Sequence, residues 1–459
     1  MPDMRVIRIA TTCRACSRGF SSRLFSRLLP TCLIILGLAL SAQGSRPAHA
    51  TTAAEATDPI AQAASKIESQ LILWRRDIHQ HPELGFQEHR TAALVANHLR
   101  NLQFDEVLTG IGETGVVGIL HGKLPGPVVA LRADMDALPV LEQTGLEFAS
   151  TATANWQGQQ VPVMHACGHD AHVAILMGAA SVLSQRRDTL AGTVMFIFQP
   201  AEEGSDHGGG AEAMLADGLF DQHKPGAIFA LHVVPAERGS LHYRSGPTAA
   251  SADTFRVDMQ GQGTHGAMPW GGSDSLSAAA QAVLGIQSII SRRIDITRAP
   301  AIISVGSFHA GNRHNIVPSN ATLTGTIRTF DAEVRSRIHQ LIEDVASGAA
   351  SSYGVTATTT IERGYPVLVN DPSLGQKMLP TLQRLAGAQL HEADRMTGAE
   401  DFAFYAQQVP GMYIGLGAMP PGKLLFNHAP DFTIDESSLK VGVVVLSQLA
   451  LDFLALPGQ

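Results

Sequence analysis

The sequence predicts an α/β domain interrupted by a smaller α+β unit. Three observations carry this reading. Helical patterns alternate with β-branched, strand-like runs between residues 58 and 251; at about Ala252 the order changes to β-α-β-β-α-β; and helix-strand-helix patterning resumes near Pro366. The expected boundaries are 58–251 and 365–456 for the two parts of the main domain and 252–364 for the insert, a division that suits a chain of 459 residues.

The first fifty residues read differently. Arg5, Arg8, Arg14, Arg18, Arg23 and Arg27 precede the apolar run from Cys32 to Leu40, and Ala48-His49-Ala50 follows. That basic, apolar, small-x-small order predicts a secretory signal peptide over residues 1–50, and hence a secreted or periplasmic protein. An Arg- and Ser-rich organelle transit peptide is the weaker alternative, because it lacks a compact apolar centre. The run is too short for a bilayer, which needs about 20 residues. Losing seven arginines and one aspartate with this leader would take the net charge from −8 to about −14. Nucleic acid and anionic membrane are therefore not expected partners. Cys13, Cys16 and Cys32 also lie in the leader, so the exported chain would keep only Cys167, a thiol that metal ligation would protect from oxidation.

Within the main domain, Asp58-Pro59 is an N-cap followed by proline at the first helical position, and Ile60, Ile67, Leu71, Trp74 and Ile78 continue one apolar stripe up to His81-Pro82. A second helix is expected over Glu88–Asn101, then strands at Val116–Leu120 and Val128–Leu131, a helix at Val173–Ser184, and strands at Thr193–Phe198 and Ala227–Leu231. Buried β-branched strands alternating with helices predict a largely parallel sheet. The insert reads as strand Thr254–Gln260, helix Asp274–Ser291, strands Ile302–Phe308 and Ala321–Arg328, helix Asp331–Ala346 and strand Val355–Ile361, the order of a ferredoxin-like unit. Its free face or edge would allow pairing with a second subunit. A helix at Pro372–Leu385, a strand at Met412–Leu416 and a helix at Glu436–Leu454 complete the main domain.

The run Met164-His165-Ala166-Cys167-Gly168-His169-Asp170-Ala171-His172 packs one thiol and three imidazoles just before an apolar helix. On an extended segment Cys167 and His169 would face the same way, so that both reach one cation. Further donors stand at strand ends: Glu202 and Glu203 before the glycine run 208–210, His232 after Ala227–Leu231, and His428 in a late loop. Alone, the Glu202-Glu203 pair would more often be a solvated acidic loop. Five donors and one spare carboxylate exceed what one catalytic ion takes, whereas two ions sharing a bridging ligand would use them and leave one glutamate as a base. Asp136, in Arg132-Ala133-Asp134-Met135-Asp136, could orient a ligand histidine. The glycine-rich stretches at Gly110–Gly115 and Gly261–Gly266 resemble dinucleotide fingerprints by letter, yet neither opens a helix, and no Walker loop, Gly-x-Ser-x-Gly or His-Glu-x-x-His is present.

Taken together, His79-Gln80-His81-Pro82-Glu83-Leu84-Gly85, Arg132–Pro139, His165–Asp170, Gln199–Gly204, His265-Gly266-Ala267-Met268-Pro269 and Gly398-Ala399-Glu400-Asp401-Phe402 resemble the amidohydrolase branch of the aminoacylase and carboxypeptidase-type metallohydrolases, which includes hippurate hydrolase and the indole-acetyl-amino-acid hydrolases. The resemblance spans about residues 58–456. It implies a zinc-peptidase-like catalytic domain with an inserted lid or dimerisation domain. It implies Cys167, His169, Glu203, His232 and His428 as ligands of two divalent ions, and Glu202 as the general base; by ligand chemistry thiolate and imidazole suit Zn, Co or Ni and carboxylates suit Mn. On the lid, His265 would hold the oxyanion and Asn315 and Arg328 the substrate carboxylate. Two departures stand out: Asp134 occupies the position where the wider superfamily has a ligand histidine, and His314 replaces an expected aromatic residue.

The expected activity is hydrolysis of N-acyl or N-aroyl amino acids of the hippurate type by an exported, homodimeric or larger homo-oligomeric enzyme. Dipeptidase or N-acetyl-amino-acid deacetylase activity at the same centre is the alternative. A non-catalytic metal- or ligand-binding protein is the third reading, against which the spare base argues.

Overall fold

The computed structural model describes residues 58–204 and 208–457, so the expected leader lies outside the described residues. Asp58 caps the first helix by accepting the Ile60 N–H at 2.8 Å, with Pro59 in the first turn. The apolar stripe that suggested one long helix is divided between Pro59–Lys66 and Glu68–Gln80. At Ile67 the backbone N–H bonds back to Ala64, a tighter turn that interrupts the α-helical ladder.

The main sheet has eight strands in the order Glu106–Ile111, Gly115–His121, Ala191–Gln199, Leu124–Asp134, Ala227–Glu237, Gly411–Met419, Leu241–Tyr243, Leu390–Glu392. Its four central strands are mutually parallel, as expected. The sheet as a whole is mixed, which corrects the largely parallel expectation. The chain reverses in a hairpin at Gly112 and Glu113, both at positive φ, so Glu106–Ile111 runs antiparallel to Gly115–His121, which is in turn antiparallel to Ala191–Gln199. Helix His169–Ser184 is buried nearly throughout and packs with Glu68–Gln80 and Ser438–Leu454 on one face. An apolar surface all round suits a helix enclosed by sheet and neighbouring helices. The shorter helices Gly210–Ala216 and Phe402–Ala406 cover part of the other face.

Residues 251–363 form a second, fully antiparallel sheet ordered Ala301–Ala310, Asn320–Thr329, Ser251–Gln260, Thr356–Arg363. Helices Ser275–Arg293 and Ala332–Ser352, capped by Asp274 and Asp331, cover one face and enclose a separate core around Phe255, Val257, Ile286, Leu323 and Leu341. Strand Ser251–Gln260 alternates strictly between buried and more exposed residues, as a sheet covered on one side requires. A two-stranded ribbon, Thr264–His265 with Ile316–Val317, projects from this unit.

Candidate metal centre

The donors gather at the carboxyl ends of the central strands, where open α/β sheets place ligand crevices. Gly168 stands between Cys167 and His169 with φ 96°, and a side chain there would meet Val233 at 2.2 Å. Only glycine fits. His169 is already the first residue of helix His169–Ser184, so the pair is presented by a left-handed turn into a helix and not by an extended segment. The His169 Nδ1 donates to Asp136, lying 2.9 Å from its backbone carbonyl and 3.1 Å from its carboxylate. That fixes the ring and leaves the buried Nε2 with no hydrogen-bond partner.

His232 does not end its strand. Ala227–Glu237 pairs with Leu124–Asp134 only as far as Ala230, then continues beside Gly411–Met419, and His232 sits just past that last shared rung. Its Nδ1 donates to the Val233 carbonyl at 2.8 Å, and its Nε2 lies 3.4 Å from the Cys167 sulfur. The loop carrying His428 is fastened to the same place. The His428 backbone N–H donates to Ala166 at 2.7 Å, and the Asn427 amide donates to the Cys167 carbonyl at 2.9 Å. His428, at positive φ, places Nε2 3.0 Å from Glu203 Oε1.

All five expected metal donors therefore converge, although they span residues 167 to 428. Cys167, His169 and His232 form one set, and Cys167, Glu203 and His428 a second, with ligand atoms within 4.8 Å of one another in each set. Cys167 belongs to both. His169, Glu202 and Glu203 make a further set of the same compactness.

Glu202 is buried, with Oε2 3.9 Å from His169 Nε2. Burial first, and then the charges of Glu400, Glu203 and Asp401, push its carboxyl well above the ordinary range. A buried imidazole nitrogen without a partner, a thiol shared by two donor sets and crowded carboxylates together suit divalent cations, whose charge relieves that crowding. The glutamate pair is held locally as well. Glu88 accepts the Ala201 N–H at 2.8 Å, and Asp136 accepts the Glu203 N–H at 2.9 Å.

Of the support behind the donors, Asp136 was expected from its motif and does hold the His169 ring, whereas the rest was not expected. Arg132 is fully buried and donates to Gln199 (2.8 Å), Asp134 (2.6 Å) and Asp401 (2.9 Å), with Glu400 at 3.0 Å. Asp134 in turn accepts from His172 Nδ1 at 2.6 Å, while His172 Nε2 accepts the Val233 N–H at 2.9 Å. Both His172 nitrogens are thus occupied, and Asp134 links His172 to Arg132. Arg132, Glu400 and Asp401 stand in the quoted motifs, and the one available signal was the pair of charged residues, Arg132 and Asp134, that closes an otherwise apolar strand.

The lid residues are brought together in part. His265 and Asn315 meet at the ribbon, where the Asn315 carbonyl accepts the Gly266 N–H at 2.8 Å and His265 Nδ1 accepts the Ala267 N–H at 3.0 Å. The Asn315 side-chain oxygen is buried without a partner. Arg328 lies within the lid sheet between Ala252 and Ile302 and donates to the Ile327 carbonyl at 3.0 Å. Among the described residues no hydrogen bond or ion pair joins these three to the five donors.

The family model described as peptidase family M20/M25/M40 matches residues 130–452. The chain belongs to this family. This M20-family protein is 39% identical over 394 residues to thermostable carboxypeptidase 1 of Saccharolobus solfataricus, covering 84% of this chain and 96% of that one. It is 37% identical over 390 residues to an N-acetylcysteine deacetylase of Bacillus subtilis, covering 85% and 98%. A crystal structure of a Bacillus subtilis dinuclear metal-binding peptidase of the M20 family superposes with a TM-score of 0.73 at 35% identity, covering 85% of this chain and 99% of that one. The protein is accordingly an M20 hydrolase with the mixed α/β fold of that family, and it carries candidate metal-binding residues.

Proposed function

We propose that this M20-family hydrolase cleaves the amide of N-acyl amino acids at a two-metal centre held by Cys167, His169, Glu203, His232 and His428. The observation that carries the reading is the pair of donor sets sharing Cys167, with the buried Glu202 carboxylate 3.9 Å from His169 and outside both. When bound, two divalent cations would polarise the substrate carbonyl and acidify a water molecule. Glu202 takes the proton of the attacking water at its carboxylate and returns it to the departing amine. His265 supplies a hydrogen-bond donor to the developing oxyanion, and Asn315 and Arg328 bind the substrate carboxylate, a guanidinium suiting it bidentately.

Two readings of the acyl group follow. The motifs favour an aroyl or larger acyl group of the hippurate type, and the Bacillus subtilis relative favours an N-acetyl amino acid. A panel of hippurate, N-acetyl amino acids and dipeptides, assayed with manganese, cobalt or zinc, separates them. Higher kcat/KM on hippurate supports the first reading and on N-acetyl amino acids the second, while a preference for dipeptides overturns both. Glu202→Gln is expected to keep its metal content and lose most turnover; a near-normal rate would overturn the base assignment. The proposal also places the mature enzyme outside the cytoplasm, on the basic-apolar order of residues 1–50, and pairs it through the lid into a homodimer.

A further inference from the structure

The loop carrying Glu202 and Glu203 is tethered at three successive residues by three different elements. Glu88, at the start of helix His89–Asn101, accepts the Ala201 N–H; Asp136, after strand Leu124–Asp134, accepts the Glu203 N–H. The tether between them comes from elsewhere. The Tyr365 hydroxyl donates to the Glu202 backbone carbonyl at 2.7 Å.

Tyr365 stands where the chain leaves the lid, two residues after strand Thr356–Arg363. This exit is stapled to the chain's entry into the lid. The Tyr365 carbonyl accepts the Ala252 N–H at 3.0 Å, Asp253 accepts the Gly364 N–H at 3.2 Å, and Arg335 donates to the Gly364 carbonyl at 3.0 Å. The ring is as firmly placed as the hydroxyl. It packs edge-on against Phe404 with centroids 6.0 Å apart, and it fills space over Gly204 and Gly209, where an added Cβ would come within 3.2 and 2.8 Å of the phenolic oxygen.

We propose that Tyr365 is a positioning residue for Glu202, and that through it the lid's two chain crossings are fastened to the backbone that carries the catalytic carboxylate. The proposal rests on the assignment of Glu202 as the base. Ala201 has φ 45°, an uncommon conformation for a side-chain-bearing residue, so the loop needs external holds on both sides of Glu202 to keep that geometry. Without the phenolic donor the Glu202 carbonyl loses its partner, and the carboxylate's aim toward the substrate relaxes.

The test is Tyr365→Phe, which keeps the ring packing and removes only the hydroxyl, measured alone and combined with Glu202→Gln. Loss of one such hydrogen bond is expected to lower kcat about five- to tenfold, with KM and bound metal unchanged. In the Glu202→Gln background the same change is expected to have no further effect on residual turnover, because the residue acts through that carboxylate. An unaltered kcat in Tyr365→Phe, or an equal loss in both backgrounds, overturns the proposal while leaving Glu202 as the base. A near-normal rate in Glu202→Gln alone overturns the base assignment, and this proposal with it.

Discussion

Asp136 grips His169 twice, its backbone carbonyl 2.9 Å and its carboxylate 3.1 Å from the imidazole Nδ1. The second carboxylate oxygen takes the Glu203 N–H, so one aspartate orients a donor from each of the two sets. Partners of this kind are worth about 10–100-fold in metal affinity. Asp136→Ala is expected to weaken metal binding by that factor, measured by chelator competition on folded protein. Asp136→Asn should fall between, since its amide oxygen still accepts from His169 but its amide nitrogen cannot accept from Glu203. Unchanged affinity in Asp136→Ala would mean that the backbone carbonyl alone sets the ring.

Arg132 is a buried cation encircled by Asp134, Glu400 and Asp401. Removing it leaves three carboxylates without their common partner in a site closed to water. Breaking a buried ion pair from one side costs about 3–5 kcal/mol, so Arg132→Met is expected to melt far below the wild type. Arg132→Lys keeps the charge but not the planar fork that reaches Gln199, Asp134 and Asp401 together, and should recover only part of the loss. Thermal denaturation of both variants checks the order.

The lid has its own pH-sensitive cluster. Burial would push the Asp253 carboxyl up, but hydrogen bonds from Arg335 and His339 overcome it and hold the group at about 2, below the ordinary 3.8. A folded-state value below the unfolded one means that the unfolded chain binds the proton first as pH falls. The stabilisation is therefore complete above about pH 4 and disappears as pH drops through about 2. Asp253→Asn is expected to be less stable than wild type at pH 7, with the difference closing between about pH 4 and pH 2. Urea denaturation across that range measures it; a constant difference would show that the cluster acts through packing.

Much of the lid was readable along the chain. The helices expected from Asp274 and Asp331 begin there, with those two residues as caps, and within the expected strand Thr254–Gln260 the residues Phe255-Arg256-Val257-Asp258-Met259 alternate apolar with charged, as a strand with one buried face does. The strands Leu241–Tyr243 and Leu390–Glu392 escaped because three residues carry no period. The interruption at Ile67 escaped because apolar spacing reports which face is buried, not whether the backbone ladder is continuous.

The centre divides along the same line. Residue type and motif order picked out Cys167, His169, Glu203, His232 and His428 as candidate donors, because few side chains can bind a divalent cation, and the fold brings these five together. The partners of Arg132, the engagement of both His172 nitrogens and the reach of Tyr365 to Glu202 were decided only by the tertiary structure. Those contacts join residues up to 269 positions apart, and a hydrogen bond depends on distance and direction in space, which local sequence does not encode.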